Sequence, residues 1–116
     1  MKAVAVKETT TLHNGVEMPL VGLGVMHMYG SECVRAICEA VDTGYRMIDT
    51  AAIYGNEGAV GRGIRECSVD REELFVTTRL WVQDASYERA KQACETSLQN
   101  MGLEYLDLYL IHQPLG

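Results

Sequence analysis

The chain has 116 residues, 47% of them hydrophobic and 22% charged, with a formal net charge of −6. That length suits one small domain with a modest core, expected to occupy residues 1–116 with no second domain, linker or repeat. The acidic balance excludes a nucleic-acid or membrane-surface partner, no apolar run approaches the roughly 20 residues that cross a bilayer, and no secretory signal opens the chain.

Residues 9–18 contain Asn14-Gly15 between two short runs that can pair. Asn-Gly is the favoured pair for a type I′ turn, because both central positions need positive φ, so a β-hairpin is predicted here. A short apolar strand follows over 20–24. Ser31 is expected to cap a helix over 32–43, with Val34, Ile37, Cys38 and Val41 on its inner face and Gly44 as its stop. A strand over 45–48 precedes a second helix over 57–66, weakened by Gly58, Gly61 and Gly63. LFVTT (74–78) reads as a buried strand. Ser86 can cap a third helix that buries Ala90, Ala93, Cys94, Ser97, Leu98 and Met101 and stops at Gly102. LDLYLIH (106–112) is the last strand, closed by Gln113-Pro114. After the hairpin the order is β-α-β-α-β-α-β, which predicts an α/β fold with right-handed crossovers and a parallel sheet.

The four cysteines, Cys33, Cys38, Cys67 and Cys94, form no CxxC pair, and no histidine stands at metal-ligand spacing. Buried free thiols in a reducing cytoplasm are expected, with no metal site. Gly22-Leu23-Gly24 follows a strand, but His27 occupies the third glycine position of a dinucleotide-binding turn, and no acidic residue is in place downstream. The glycines at 55, 58, 61 and 63 lack the GK[ST] of a phosphate loop and suit close packing instead. His13 and His27 are expected at the surface.

Three predicted strands end in an ionisable side chain: Asp49, Arg79 and His112. Tyr54 follows the second strand by a few residues. Taken singly, a strand-end Asp is more often a cap or an ion-pair partner, and a lone His a satisfied core residue. Parallel strands point their carboxyl ends one way, however, so all four groups would meet on the rim where α/β folds keep their chemistry. Such a group suits proton transfer to a carbonyl oxygen. A tyrosine with its ordinary pKa of about 10 holds its proton too tightly at neutral pH, and a nearby cation favours its release. Asp49 would then be tolerated at an apolar strand end because it holds the cation that tunes Tyr54.

With these residues in place the sequence resembles the aldo-keto reductases. GVEMPLVGLG, YRMIDTAAIYGNE, ELFVTTRLW and LDLYLIHQP match segments of that family in order, across essentially the whole chain. The resemblance implies a (β/α)₈ barrel whose bottom is closed by an N-terminal hairpin, and hydride transfer from NADPH, in some members NADH, to aldehydes and ketones. It implies Tyr54 as general acid, Asp49 and Arg79 as its tuning pair, and His112 as the residue that orients the carbonyl. Gly24, Val25 and Asp49 would lie against the cofactor. Met26, Trp81 and His112 would border a small carbonyl substrate, although Met26, Met28 and Tyr29 also fit a plain loop.

Two departures from the family pattern stand out. The family has lysine where this chain has Arg79, TTKLW against TTRLW. Arginine keeps the charge but is longer, planar and forked, so the exchange is not conservative at a packed site and weaker chemistry is expected. The second departure is length, since a (β/α)₈ barrel takes about 250 residues. Residues 1–116 would form the N-terminal half, a partial TIM barrel of hairpin, four parallel strands and three helices. Most of the cofactor site, including the basic residues that hold the 2′-phosphate, would belong to the other half. An open half exposes an apolar concave face and two strand edges. The chain is therefore expected to be a fragment, weak or inactive alone. The alternative is a non-catalytic half-barrel that self-associates as a homo-oligomer or pairs with a complementary half.

Overall fold

A computed structural model of the chain describes residues 9–81 and 86–112. Strands β1 (Thr9–Thr11) and β2 (Glu17–Pro19) pair antiparallel, with Thr10 opposite Met18. Their turn is not type I′. Gly15 has φ +87, but Asn14 keeps a negative φ, His27 being the one described non-glycine residue on the positive side. The hairpin closes instead over three residues, with Gly15 N–H donating to Leu12 O at 2.9 Å and Leu12 N–H to Val16 O at 2.8 Å. Asn14 contributes its side chain, accepting from Val16 N–H at 3.1 Å, so its role is an Asx turn rather than left-handed backbone.

The rest of the chain alternates strand and helix. In order come β3 (Leu23–Gly24), α1 (Gly30–Asp42), β4 (Met47–Asp49), α2 (Glu57–Glu66), β5 (Phe75–Trp81), α3 (Tyr87–Met101) and β6 (Leu108–His112). Short 3₁₀ turns lie at Ala52–Tyr54 and Arg71–Glu73. The four later strands form one parallel sheet in the order β3-β4-β5-β6. The hairpin shares a shallow cavity of about 270 Å³ with Arg46, Leu74, Phe75 and Asp107, which places it at the amino ends of the strands. This is the partial (β/α)₈ architecture expected from the sequence.

Several boundaries moved for physical reasons. The first strand shrinks to two residues because Leu20 and Val21 stay exposed. Helix α1 starts at Gly30 with Tyr29 as its unassisted cap, leaving Ser31 inside the first turn. Its buried stripe is Cys33, Val34, Ile37 and Val41, with Cys38 only half-buried beside them. Cys67 and Cys94 are half-buried as well, and all four thiols are free. β4 extends through Asp49, and β5 runs past Arg79 to Trp81 because its ladder with β6 continues to the Trp81–His112 pair. The stop expected at Gln113-Pro114 lies outside the described residues.

Helix α3 begins as expected, with Ser86 Oγ accepting from Arg89 N–H at 3.3 Å. It ends in a Schellman motif: Gly102 at φ +68 donates to Gln99 O and Leu103 N–H to Leu98 O. Of its predicted inner face only Ser97 and Met101 are fully buried, the others being half-buried. Helix α2 packs between its neighbours through its glycines. A Cβ on Gly61 would lie 1.8 Å from Met101 O, and one on Gly63 would meet Ile37 at 2.9 Å. The glycines that weaken the isolated helix thus let three helices close over Ile48, Val60, Ile64 and Val76.

On β5, Thr78 bonds Glu57 of α2, so residue 78 faces the helices and residues 77 and 79 face the opposite, concave side. Register places Leu110 beside Arg79 on that side, where it remains 39% exposed.

Candidate active site at the carboxyl rim

Asp49 is the hub of the rim. It ends β4, pairs with Gly24 on one side and with Thr77 on the other, and its carbonyl accepts from Val25 N–H at 3.3 Å. The period of two carries Arg79 onto the same face as Thr77, one diagonal step from Asp49. Arg79 Nη2 donates to Asp49 Oδ2 at 2.5 Å, and Thr77 Oγ1 donates to Oδ1. Both charged side chains are about three-quarters buried, at 22% and 30% exposure. A carboxylate in this setting is kept by its partners: each oxygen has its own donor, and one donor is a permanent cation. The pairing of Asp49 with Arg79 expected from the sequence is formed.

Tyr54 closes the 3₁₀ turn that follows β4, half-buried, with its N–H donating to Ala51 O at 3.0 Å. Gly55, at φ +70, then turns the chain into α2. Sheet register brings the ends of β5 and β6 together, so His112 pairs with Trp81 in the ladder. The side chains of Trp81 and His112 lie outside the described part of the structure. Gly24 sits exposed at the end of β3, and a Cβ built on it meets nothing within 4 Å, so open space adjoins the backbone there. Met26 stands out at 56% exposure on the following loop. Val25 differs from its neighbours: its side chain is fully buried in the core, which leaves only its backbone near the rim.

Four residues that sequence reading passed over support this group. Thr77 fixes Asp49. Thr50, Asn56 and Glu57 tie the loops down: Thr50 Oγ1 donates to Asn56 Oδ1 at 2.8 Å, Asn56 Nδ2 donates to Val25 O and Met28 O, and Thr78 Oγ1 donates to Glu57 Oε2 at 2.7 Å. The available signal was polarity in the wrong place, namely two threonines in an otherwise apolar strand and Asn-Glu directly after the tyrosine loop. A separate cleft of about 410 Å³ opens on the outer side between Glu57 and the Arg89, Gln92, Thr96 and Asn100 face of α3; Asp49, Tyr54 and Arg79 do not line it. Among the described residues, no group of three or more potential metal-binding side chains is assembled and no helix is long and apolar enough to span a membrane.

Residues 20–116 match the model of the Aldo/keto reductase family. The uncharacterised oxidoreductase YtbE of Bacillus subtilis is 57% identical over 110 residues, covering 90% of this chain and 39% of that protein. Glyoxal reductase from the same organism is 53% identical over 111 residues, 95% of this chain and 40% of the relative. Among solved structures, an aldo-keto reductase of Bombyx mori in complex with NADP superposes with a TM-score of 0.86 at 40% identity, over 98% of this chain and 40% of that one. The chain spans about two fifths of the length of the relatives it matches.

Proposed function

This chain belongs to the aldo/keto reductase family of oxidoreductases, and from that premise we propose that its rim serves NADPH-dependent reduction of small aldehydes and ketones as the N-terminal half of a barrel. The observation that carries the reading is the Asp49–Arg79 ion pair at the carboxyl ends of β4 and β5, one turn of chain before Tyr54. The residues present fit the nicotinamide end of such a cofactor: Gly24 offers side-chain-free backbone beside open space, next to Asp49. When bound, the nicotinamide supplies hydride to the carbonyl carbon.

The chain's own residues handle the proton and the orientation. Tyr54 gives its phenolic proton to the carbonyl oxygen as charge builds there. Arg79 stabilises the phenolate left behind, and Asp49, braced by Thr77, holds the guanidinium so that its charge stays at the rim. His112 donates to the substrate oxygen, while Trp81 and Met26 flank the substrate. Arg79 is held to Asp49 through Nη2 alone, at 2.5 Å, and its longer, planar side chain favours slower proton transfer than the family lysine would give. Turnover by the 116-residue chain alone is proposed to be weak or nil. Four free thiols suit the reducing cytoplasm as its setting.

Fluorescence titration of the purified chain with NADPH, followed by NADPH oxidation with a panel of aldehydes, tests this reading. Saturable binding is expected, with turnover that is weak at most and that vanishes in Tyr54→Phe. Undiminished turnover in that variant refutes the assignment. A second reading, a non-catalytic half-barrel that self-associates, is favoured by the exposure of Leu110 on the concave face. Light scattering that finds a stable dimer with no NADPH affinity would select it.

A further inference from the structure

We propose that Asn56 is a positioning residue that locks the loop after β3 to the loop after β4, fixing the Gly24–Met28 side of the rim relative to Tyr54. The proposal extends the reading of the site given above. Asn56 occupies the N-cap position of α2, where asparagine ordinarily turns its side chain onto the first helical N–H groups. It does not do so here: no side-chain cap bond is made. The carboxamide instead reaches across to a loop some thirty residues earlier, and only 3% of the residue stays exposed.

Every hydrogen-bonding element of that amide has a use. Both Nδ2 protons go to backbone carbonyls, Val25 O at 2.8 Å and Met28 O at 2.9 Å. Oδ1 accepts from Thr50 Oγ1 at 2.8 Å. Thr50 is itself fully buried, with its N–H on Thr77 O at 3.0 Å, so the hydroxyl is a fixed reference. The two carbonyls set the direction of the amide, because a flipped side chain would turn its oxygen against both of them.

The two carbonyls bracket the one strained point of the loop. His27, between them, is held at φ +66, a left-handed conformation that a non-glycine residue keeps only when its surroundings fix it. Asn56 supplies that constraint from both sides. Tyr54 lies two residues before Asn56 in the same chain segment. One buried amide therefore joins the loop that follows Gly24 and carries Met26 to the loop that carries Tyr54. Asparagine is required by this geometry. Aspartate of the same shape would accept from Thr50 but present a second acceptor to Val25 O and Met28 O, and would place a buried charge between them.

The test uses the 116-residue chain carrying Asn56→Asp, Asn56→Ala, Thr50→Val or Thr50→Ser, with amide hydrogen exchange as the main readout. Met28 N–H, bonded to Val25 O at 3.1 Å, and Tyr54 N–H report the two loops. In both Asn56 variants these amides should exchange about tenfold faster or more, while amides in the middle of α3 keep their rates. Amides in the first turn of α2 should also be unaffected, since the side chain does not cap it. Thr50→Val should loosen the same loops and Thr50→Ser should restore them, which keeps the proposal testable if an Asn56 variant fails to fold. Uniform acceleration through the whole domain, or unchanged exchange at Met28, would overturn it. NADPH titration of the same variants should show weaker binding with Asn56→Asp than with the parent chain, and equal affinity would count against positioning. If the parent chain binds no NADPH, the cofactor reading fails, and the exchange result alone decides the role of Asn56.

Discussion

Replacing Gly61 by alanine sets two opposing effects against each other. In an isolated helix the exchange gains about 1 kcal/mol of propensity. In this fold the new methyl would sit 1.8 Å from Met101 O and 2.5 Å from its carbonyl carbon, in the last turn of α3. Ordinary contact needs roughly 3.4 Å, so α2 and α3 must part by about 1.5 Å. The same carbonyl accepts from Arg65 Nη1 at 2.5 Å, and a charged hydrogen bond lost there costs about 1.5–3 kcal/mol. Overpacking around the fully buried Met101 adds about 1–3 kcal/mol. The net expectation is a loss of about 2–4 kcal/mol from a domain whose whole stability is on the order of 5–15 kcal/mol. With a urea m-value near 2 kcal/mol/M, the unfolding midpoint should fall by about 1–2 M. Gly58→Ala is the internal control. Its methyl meets only Asn100 O at 3.7 Å, so the same exchange three residues away should raise stability by about 0.5–1 kcal/mol. A Gly61→Ala midpoint at or above that of the parent would refute the packing argument, and with it the close α2–α3 contact.

Other perturbations have equally definite signs. Asp49→Asn strips the carboxylate from Arg79 at a site about three-quarters buried, and should cost about 1–3 kcal/mol in urea unfolding, together with any NADPH-dependent turnover. Ser86→Ala removes the bond to Arg89 N–H and should lower stability by about 1 kcal/mol, with helical circular dichroism at the melting onset reporting the frayed α3. Burial pushes the thiols of Cys33, Cys38 and Cys94 up, with Glu32 adding to the first, Cys67, Glu66 and Asp42 to the second, and Glu95 and Glu57 to the third. The folded chain thus holds these protons after the unfolded chain has lost them. Stability from this source is intact below about pH 8.5 and declines as pH climbs through the ordinary thiol range towards the raised folded values. Iodoacetamide labelling followed by mass spectrometry should find these three cysteines slow at pH 8 and still accelerating above pH 9.

The alternation of strand and helix was legible because LFVTT is a short run that the fold buries throughout, while the buried stripe of α1 repeats at the 3.6 period that the core then satisfies. Gly44 and Gly102 marked helix ends correctly because both adopt positive φ. The type I′ turn was misread at Asn14, whose side-chain bond to Val16 N–H competes with left-handed backbone in a way composition does not reveal. Ser31 looked like a cap but was outcompeted by a helix that starts one residue before it. At the site, the Asp49–Arg79 pair followed from strand ends facing one way. Asn56 was invisible because its partners, the carbonyls of Val25 and Met28, are backbone groups far away in sequence, and Thr50 because its hydroxyl serves only Asn56. Side chains that serve main-chain groups leave no pattern of complementary residues to read.

The strand order β3-β4-β5-β6 has a consequence for how the chain comes to be folded. Every strand neighbours the one made just before it, so the pairs Leu23–Ile48, Ile48–Val76 and Thr77–Leu108 each close a span of about 25 to 31 residues. Among the described strands of this sheet, each pairing can form as soon as the later strand emerges. As the chain leaves the ribosome, each helix and its following strand can dock onto the sheet edge already present, at a loop-closure cost that hardly grows from one step to the next. The growing edge is covered by the next unit to emerge, while the outer edge of β3 has no partner in this sheet. Pausing synthesis after about Leu80 would leave β5 as that edge, with Leu108–His112 still to come and Thr77–Trp81 open to a strand from another chain.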